Sequence, residues 1–449
     1  MAKLFGTDGV RGKAGSVLTA ELAMKLGQAA GHVFLEENGG KTGVVIVGRD
    51  TRISGQMLEC ALTAGLTSVG IQVISAGVVP TPAVAFLVRK FKALAGAVIS
   101  ASHNPFEDNG IKFFSASGTK LRDDQEETIE AVLQGQVAVQ PAEGKAIGRY
   151  AQVDEAIEVY KDYLDELMSV NGRDYRLVVD CANGAASQLA QEVFERANLN
   201  VIMMGDRPNG TNINVNCGST HLEQLQKRVL AEGADAGLAF DGDADRFLAV
   251  DEKGNVVDGD RLMAIYALAM KEEHRLANNQ LVVTVMSNLG LKLAMREAGI
   301  ELVETQVGDR YVNEGMKKSG AVLGGEQSGH IIFREYNSTG DGMISAIMLL
   351  NIMNHKRVPL SALADAAMTS LPQVLVNVPV TKKEGWKDIP AIQDAIAKAE
   401  AELGETGRVL VRASGTENLL RVMVEGKDQK EIETMANAIA DVVREAIGA

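Results

Sequence analysis

The stretch Val44-Val45-Ile46-Val47-Gly48-Arg49-Asp50 runs through four consecutive β-branched apolar residues and then turns polar. An apolar run without alternation reads as a strand buried on both faces, the kind that sits in a parallel sheet under helices. The same pattern recurs along the chain. Leu177 to Asp180 runs into Cys181-Ala182-Asn183-Gly184, and Gly237 to Asp241 and Leu281 to Asn288 do likewise. Helical periodicity fills the intervals at 20–36, 57–69, 123–133, 153–168, 187–197, 222–231, 260–270 and 290–297. Strands alternating with helices predict α/β layers. The repeated strand-loop-helix unit predicts related domains, although no residue-level repeat is visible. Breaks fall in the 134–148 linker, the 252–260 turn and at Leu371-Pro372, giving expected units 1–148, 149–256, 257–371 and 372–449. The last unit reads strand, helix, strand, strand, helix from Val374 to Ala449, a small α+β domain.

In such sheets ligands gather at the carboxyl ends of strands. One such end is Ser100-Ala101-Ser102-His103-Asn104-Pro105, after the small apolar run Leu94 to Ile99. No G-x-S-x-G elbow surrounds Ser102, so an ordinary serine hydrolase is not indicated. Asn104-Pro105 forces a turn, because proline excludes the helical region for the residue before it. Read alone, the serines could simply bond the backbone of that turn.

Ala234 to Val250 carries Asp241, Asp243 and Asp245 alternating inside an apolar run. Three close carboxylates repel one another unless a cation joins them, and hard oxygen ligands suit Mg²⁺ or Ca²⁺ rather than zinc. An EF-hand loop is excluded because its sixth position, which needs glycine, is Arg246 here. The flanks read as strands, so the expectation is a Mg²⁺ site on a strand-to-strand loop. The alternative is a solvated acidic turn.

Gly324-Gly325-Glu326-Gln327-Ser328-Gly329-His330 follows. If that loop is extended, Glu326, Ser328 and His330 project to one side and could grip sugar hydroxyls; otherwise it is a glycine-rich turn. Arg412-Ala413-Ser414-Gly415-Thr416-Glu417-Asn418 comes after the strand-like Gly407 to Val411. A guanidinium fork, two hydroxyls and backbone N–H donors can surround a phosphate. The competing reading is a capped turn.

Together, and in this order, these segments resemble the α-D-phosphohexomutase superfamily from Phe5 to about Arg421. The segments Phe5-Gly6-Thr7-Asp8-Gly9-Val10-Arg11-Gly12, Gly48 to Gly55, Gln306-Val307-Gly308-Asp309-Arg310-Tyr311 and Gln327 look like its glucosamine-handling branch. The resemblance implies three similar α/β domains and a smaller fourth around a central active-site cleft. It implies that a phosphorylated Ser102 converts glucosamine 6-phosphate to glucosamine 1-phosphate through glucosamine 1,6-bisphosphate, on the route to UDP-N-acetylglucosamine. One Mg²⁺ would be held by Asp241, Asp243, Asp245 and the Ser102 phosphate. Arg246 would clamp the moving phosphoryl group, and Arg412, Ser414, Gly415 and Thr416 the distal phosphate. Glu326 and Ser328 would hold ring hydroxyls. Lys112 matches the family's proton-transfer position, with His330 nearby by motif. His103 and Arg11 would support Ser102, while Arg49 reads as structural. Asp309 is a candidate reader of the amino group, against a salt bridge with Arg310 or a helix cap. Rivals are a phosphoglucomutase or phosphomannomutase, a Mg²⁺-dependent sugar phosphatase, and a sugar-phosphate binding protein.

Composition sets outer limits. The 449 residues are 46% hydrophobic, enough to bury several cores, and carry a formal net charge of −14. That charge argues against nonspecific nucleic-acid or anionic-membrane binding. Cys60, Cys181 and Cys217 form no C-x-x-C pair, no apolar run nears membrane-spanning length, and the amino terminus lacks a signal-peptide core. The expectation is a cytoplasmic enzyme with a small sugar phosphate as its partner. A homodimer, an activating kinase and autophosphorylation stay open. His32, His221, His274 and His355 have no motif around them and read as surface groups.

Overall fold

The computed structural model describes residues 4–6, 8–153, 155–170, 175–414 and 418–449. They fall into two compact units, Met1–Met286 with Ile300–Ala367, and Ser287–Gly299 with Met368–Ala449.

The first unit carries three sheets. The first runs, edge to edge, Val10–Lys13, Asp108–Ser115, Ala95–Ile99, Val44–Arg49, Gln72–Val78 and Tyr150–Gln152. Its centre is parallel, and Asp108–Ser115 returns antiparallel beside Ala95–Ile99. Val45, Ile46 and Val47 are fully buried, as an apolar run without alternation requires. Helices Ala20–Glu37 and Gly55–Ser68 pack together on this domain, and two glycines set their spacing. A Cβ on Gly27 would lie 2.3 Å from the Leu62 carbonyl oxygen, and one on Gly65 2.0 Å from that of Met24. Tyr150–Gln152 pairs in parallel with Gln72–Val78, so the first sheet extends past residue 148.

The second sheet has the order Val256–Val257, Phe247–Asp251, Ala236–Phe240, Arg176–Asp180, Asn200–Met204. Ala236–Phe240 and Phe247–Asp251 form an antiparallel hairpin, so residues 241–246 are a strand-to-strand loop. The third sheet is Glu301–Thr305, Gln280–Thr284, Leu323–Gly325, Ile331–Phe333, and its last two strands form a hairpin around residues 326–330. The helices Thr81–Lys90, Asp309–Ser319, Gly342–Lys356 and Leu360–Ala367 fall outside the sequence-derived set. Two of them lack a clean amphipathic stripe: Thr81–Lys90 is buried from Thr81 to Val88, and Gly342–Lys356 from Gly342 to Leu350.

The second unit has a three-stranded antiparallel sheet with Leu419–Glu425 between Gln373–Pro379 and Arg408–Ala413. Helices Pro390–Leu403 and Gln429–Ile447 close a core that includes Ile392, Leu420, Val422, Ile432 and Ile439. This is the strand, helix, strand, strand, helix order expected from the sequence.

Candidate active site

Strands Val44–Arg49 and Ala95–Ile99 are parallel neighbours and end side by side, where the Asp50 amide donates to the Ile99 carbonyl at 3.1 Å. Their following loops therefore share one sheet edge. Ser102 lies on the second loop with φ of 52° and is 2% exposed. A non-glycine residue held at positive φ costs of order 1–3 kcal/mol and persists only where its surroundings fix it. The surroundings here are specific. Ser100 Oγ accepts from the Ser102 amide at 2.9 Å and donates to Asp50 Oδ2 at 2.6 Å. The fully buried Asp50 pairs with Arg52, whose guanidinium donates to the carbonyls of Ser102 at 3.1 Å and Asn104 at 2.6 Å. Asn214, from the second domain, donates to the same two carbonyls at 2.9 and 3.0 Å.

The 241–246 loop packs directly on that of Ser102. A Cβ on Gly242 would lie 2.5 Å from the Ser102 carbonyl oxygen, so only glycine allows this approach. Ser102 Oγ donates to Asp241 Oδ2 at 2.6 Å and lies 3.3 Å from His103 Nδ1. One carboxylate oxygen from each of Asp241, Asp243 and Asp245 lies within 4.8 Å of the others, and all three residues are buried. Asp243 Oδ1 and Asp245 Oδ1 are buried without a hydrogen-bond partner. Acceptor-only oxygens converging in a low-dielectric site fit a hard divalent cation.

Charge is arranged around this trio. Lys112, 2% exposed, donates to Asp243 Oδ2 at 3.0 Å and lies 3.2 Å from Asp8 Oδ2. The Thr81 hydroxyl donates to Asp243 Oδ2 at 2.7 Å. Burial opposes ionisation of Asp243, but Lys112, the Thr81 hydroxyl and Arg11 outweigh it and hold its carboxyl well below the usual range. Burial, with Asp245 and Asp243 close by, pushes Asp241 up. Burial, then Arg246 and Arg11, lowers His103 to about 4, so its imidazole is neutral at pH 7. Arg11 pairs with Asp8, and Arg246 Nε stands 4.0 Å from Asp245.

The third domain supplies the rest. His330 is 3% exposed, with Nε2 3.9 Å from Asp245 Oδ2 and 3.8 Å from Asp309 Oδ2. Residues 326–330 are not extended. The Gly329 amide donates to the Glu326 carbonyl at 2.9 Å, and Gly329 has φ of 89°, so the segment closes as a turn. Glu326 Oε1 accepts from the Gly308 amide at 2.9 Å, and Ser328 Oγ is buried without a partner. The alternative reading of Asp309, a salt bridge with Arg310, does not form. The Arg310 guanidinium reaches Asp123 at 2.7 Å and Glu314 at 3.3 Å, and only its backbone amide donates to Asp309, at 2.8 Å.

Within the second unit, Arg412 is directly opposite Arg421 on paired strands, and the Ser414 amide donates to the Leu419 carbonyl at 2.9 Å. Gly415 and Thr416 lie outside the described residues. Arg49 pairs with Glu59 at 2.8 Å, in keeping with its structural reading. Sequence reasoning passed over Asp50, Arg52 and Asn214 as holders of the serine loop, and Asp8, Thr81 and Lys120 as partners of the charged centre. The pair Asp50-x-Arg52 at a strand end was a usable signal; nothing local marks Asn214.

Four sequence-family profiles match the chain in order. "Phosphoglucomutase/phosphomannomutase, alpha/beta/alpha domain I" covers residues 2–138, domain II 158–254, domain III 258–371 and the "C-terminal domain" 375–442. The phosphoglucosamine mutase of Carboxydothermus hydrogenoformans is 54% identical over 445 residues, 99% of each chain. The chain belongs to the phosphoglucosamine mutase family. That of Shouchella clausii is 52% identical over 449 residues, 100% of each chain. A solved phosphoglucomutase/phosphomannomutase family protein from Burkholderia thailandensis superposes with a TM-score of 0.82 at 25% identity, over 99% of this chain and 97% of that one. Members of the phosphoglucosamine mutase family are isomerases of the phosphohexomutase type. Phosphohexomutases use a metal ion, and the buried trio of this chain can hold one. No helix among the described residues is long and apolar enough to cross a membrane.

Proposed function

We propose that this chain interconverts glucosamine 6-phosphate and glucosamine 1-phosphate, using Ser102 as the phosphate carrier and Mg²⁺ on Asp241, Asp243 and Asp245. The observation that carries this reading is the 2.6 Å hydrogen bond from Ser102 Oγ to Asp241 Oδ2 inside the buried carboxylate trio. A hydroxyl placed there can carry a phosphate only if cations surround it, and Lys112, Arg11 and Arg246 supply them.

In the first half-reaction the O1 hydroxyl of glucosamine 6-phosphate attacks the phosphorus on Ser102. An O1–P bond forms, the Ser102 Oγ–P bond breaks, and glucosamine 1,6-bisphosphate results. The attacking hydroxyl loses its proton to a basic group of the site, for which Lys112 and His330 are the candidates. In the second half-reaction the bisphosphate is reversed, and Ser102 Oγ attacks the phosphorus on O6. Glucosamine 1-phosphate leaves, and the phosphoserine is restored. Phosphoryl transfer depends on alignment and charge neutralisation, which this crowded set of fixed charges provides. The divalent cation, when bound, supplies further neutralisation of the equatorial oxygens. Glu326, Ser328 and His330 hold the ring, and Arg412 with Ser414, Gly415 and Thr416 takes the non-reacting phosphate.

The test combines mass and turnover. A fraction of the protein heavier by one phosphate, mapped to Ser102, with glucosamine 1-phosphate formed from the 6-phosphate, is the expected result. Release of free phosphate without isomerised product would replace this reading with a phosphatase.

A further inference from the structure

Lys120 follows the strand Asp108–Ser115, and its ammonium is enclosed by two carboxylates from distant parts of the chain. Nζ lies 2.6 Å from Asp8 Oδ1, and 2.9 and 2.8 Å from the two oxygens of Asp309. Asp8 precedes the strand Val10–Lys13, and Asp309 opens the helix Asp309–Ser319 of the third domain. Three acceptor oxygens around one nitrogen satisfy all three donors of an ammonium. The geometry is thus a socket for a primary ammonium group, filled by the protein's own side chain.

Two further observations tie this socket to ligand binding. His330 is 3% exposed, neither of its ring nitrogens has a hydrogen-bond partner, and Nε2 stands 3.8 Å from Asp309 Oδ2. A buried polar group that the protein leaves unbonded points to a ligand atom as its partner. The same ring is 3.9 Å from Asp245, so it spans the distance between the socket and the acidic loop on which Ser102 rests. A cavity of about 110 Å³, lined in part by Lys120, Asp309 and His330, lies against the socket. Lys120 keeps 18% side-chain exposure. Its backbone is fixed by a bridge to Phe114, so the four-carbon stem can leave while the chain stays in place.

We propose that Asp8 and Asp309 form the site that reads the substrate's 2-ammonium group, and that Lys120 is a removable internal plug of that site. The proposal rests on the mutase reading above. An amino sugar carries at C2 a cation that can take over the oxygens Lys120 gives up. Glucose or mannose offers a neutral hydroxyl there, which cannot replace an ammonium between two carboxylates. A neutral sugar therefore binds with the plug left in place, whereas an amino sugar displaces it, so the two carboxylates favour the amino sugar and the plug holds that preference down. Asp8 Oδ2 also pairs with Arg11 and Lys112, so only Oδ1 is committed to the socket.

The test compares kcat/KM on glucosamine 6-phosphate and glucose 6-phosphate, read as their ratio. Lys120→Met keeps the stem and removes the plug, and should raise the ratio about tenfold, the lower end of what a charge-assisted contact contributes. Lys120→Arg refills the socket and should leave the ratio near that of the native chain. Asp8→Asn should lower the ratio roughly tenfold, whatever general loss follows from its contact with Lys112. In Lys120→Met, methylammonium should inhibit turnover of the amino sugar more than that of glucose 6-phosphate. Equal changes on both sugars in Lys120→Met and Asp8→Asn would reduce the cluster to a tie between domains and overturn the proposal. If the native chain isomerises neither sugar, the mutase reading itself fails, a different outcome from an unmoved ratio.

Discussion

The hydroxyl of Ser102 is bound to Asp241 Oδ2 at 2.6 Å, a contact that joins the loop after the strand Ala95–Ile99 to the hairpin loop of the second sheet. The two loops are separated by 139 residues in sequence. The contact is set by Gly242, which lets one backbone lie against the other, and by the polar hold on the carbonyl of Ser102.

Replacing Ser102 with alanine removes the oxygen that would carry the phosphate and leaves the surrounding cations in place. Turnover should fall by several orders of magnitude, while binding of glucosamine 6-phosphate by calorimetry persists. Near-native mutase activity in Ser102→Ala would sink the phosphoserine mechanism.

Chelation of divalent cations should stop catalysis, and Mg²⁺ should restore it. Asp243→Asn removes one ligand and the partner of the buried Lys112, so kcat should drop on the order of a hundredfold or more. Full activity in excess chelator would contradict the assignment.

The strand-helix alternation, the carboxylate trio and the last domain were all legible because each is a local pattern. Val45 to Val47 sit at the centre of a sheet, and the three aspartates sit on one hairpin loop. What could not be read is long-range. Asn214 reaches the serine loop from a segment with no periodicity, and Lys120 meets Asp309 across 189 residues. The sugar loop shows the opposite error. Alternating Glu326, Ser328 and His330 reads as an extended face, but Gly329 at positive φ closes the segment as a turn.

The Asp50–Arg52 pair is fully buried and supports the strained serine loop. Arg52→Met strands a buried carboxylate and takes one of two donors from each of the Ser102 and Asn104 carbonyls, and should destabilise the protein by about 3–5 kcal/mol. Adding Asp50→Asn should recover part of this loss, because the uncompensated charge is then gone. Thermal denaturation of the single and double variants checks it; a double variant no more stable than Arg52→Met would contradict the pairing argument.

Burial, reinforced by Asp180, pushes the Cys217 thiol up to about 12, and burial raises Cys181 as well, whereas Cys60 is exposed. A thiol raised in the folded state favours folding fully below its unfolded value, about 8.5, and loses that contribution as pH rises towards 12. At pH 8 the native chain should alkylate at Cys60 alone, and at all three cysteines once unfolded. Stability should decline above about pH 8.5, and Cys217→Ser should lessen that slope. Rapid native-state labelling of Cys217 would show that its burial is not maintained in solution.

Arg412 and Arg421 stand opposite each other on neighbouring strands of the second unit. Like charges across a strand pair destabilise a sheet. Burial and the neighbouring Arg421 lower the pKa of Arg412, and Arg412 Nε is buried without a hydrogen-bond partner. A dianionic phosphate seated there would satisfy Arg412 Nε and offset the repulsion between the two guanidinium groups. Removing Arg412 should therefore separate stability from binding. In phosphate-free buffer Arg412→Ala should melt no earlier than the native protein, because a repulsion has been relieved. The KM for glucosamine 6-phosphate should rise roughly ten- to a hundredfold, the equivalent of a charge-assisted contact of about 1.5–3 kcal/mol. The upward shift in melting temperature that the sugar phosphate gives the native chain should shrink in parallel. A variant that melts earlier without ligand, yet keeps the native KM, would make Arg412 a structural residue and leave the distal phosphate to other groups.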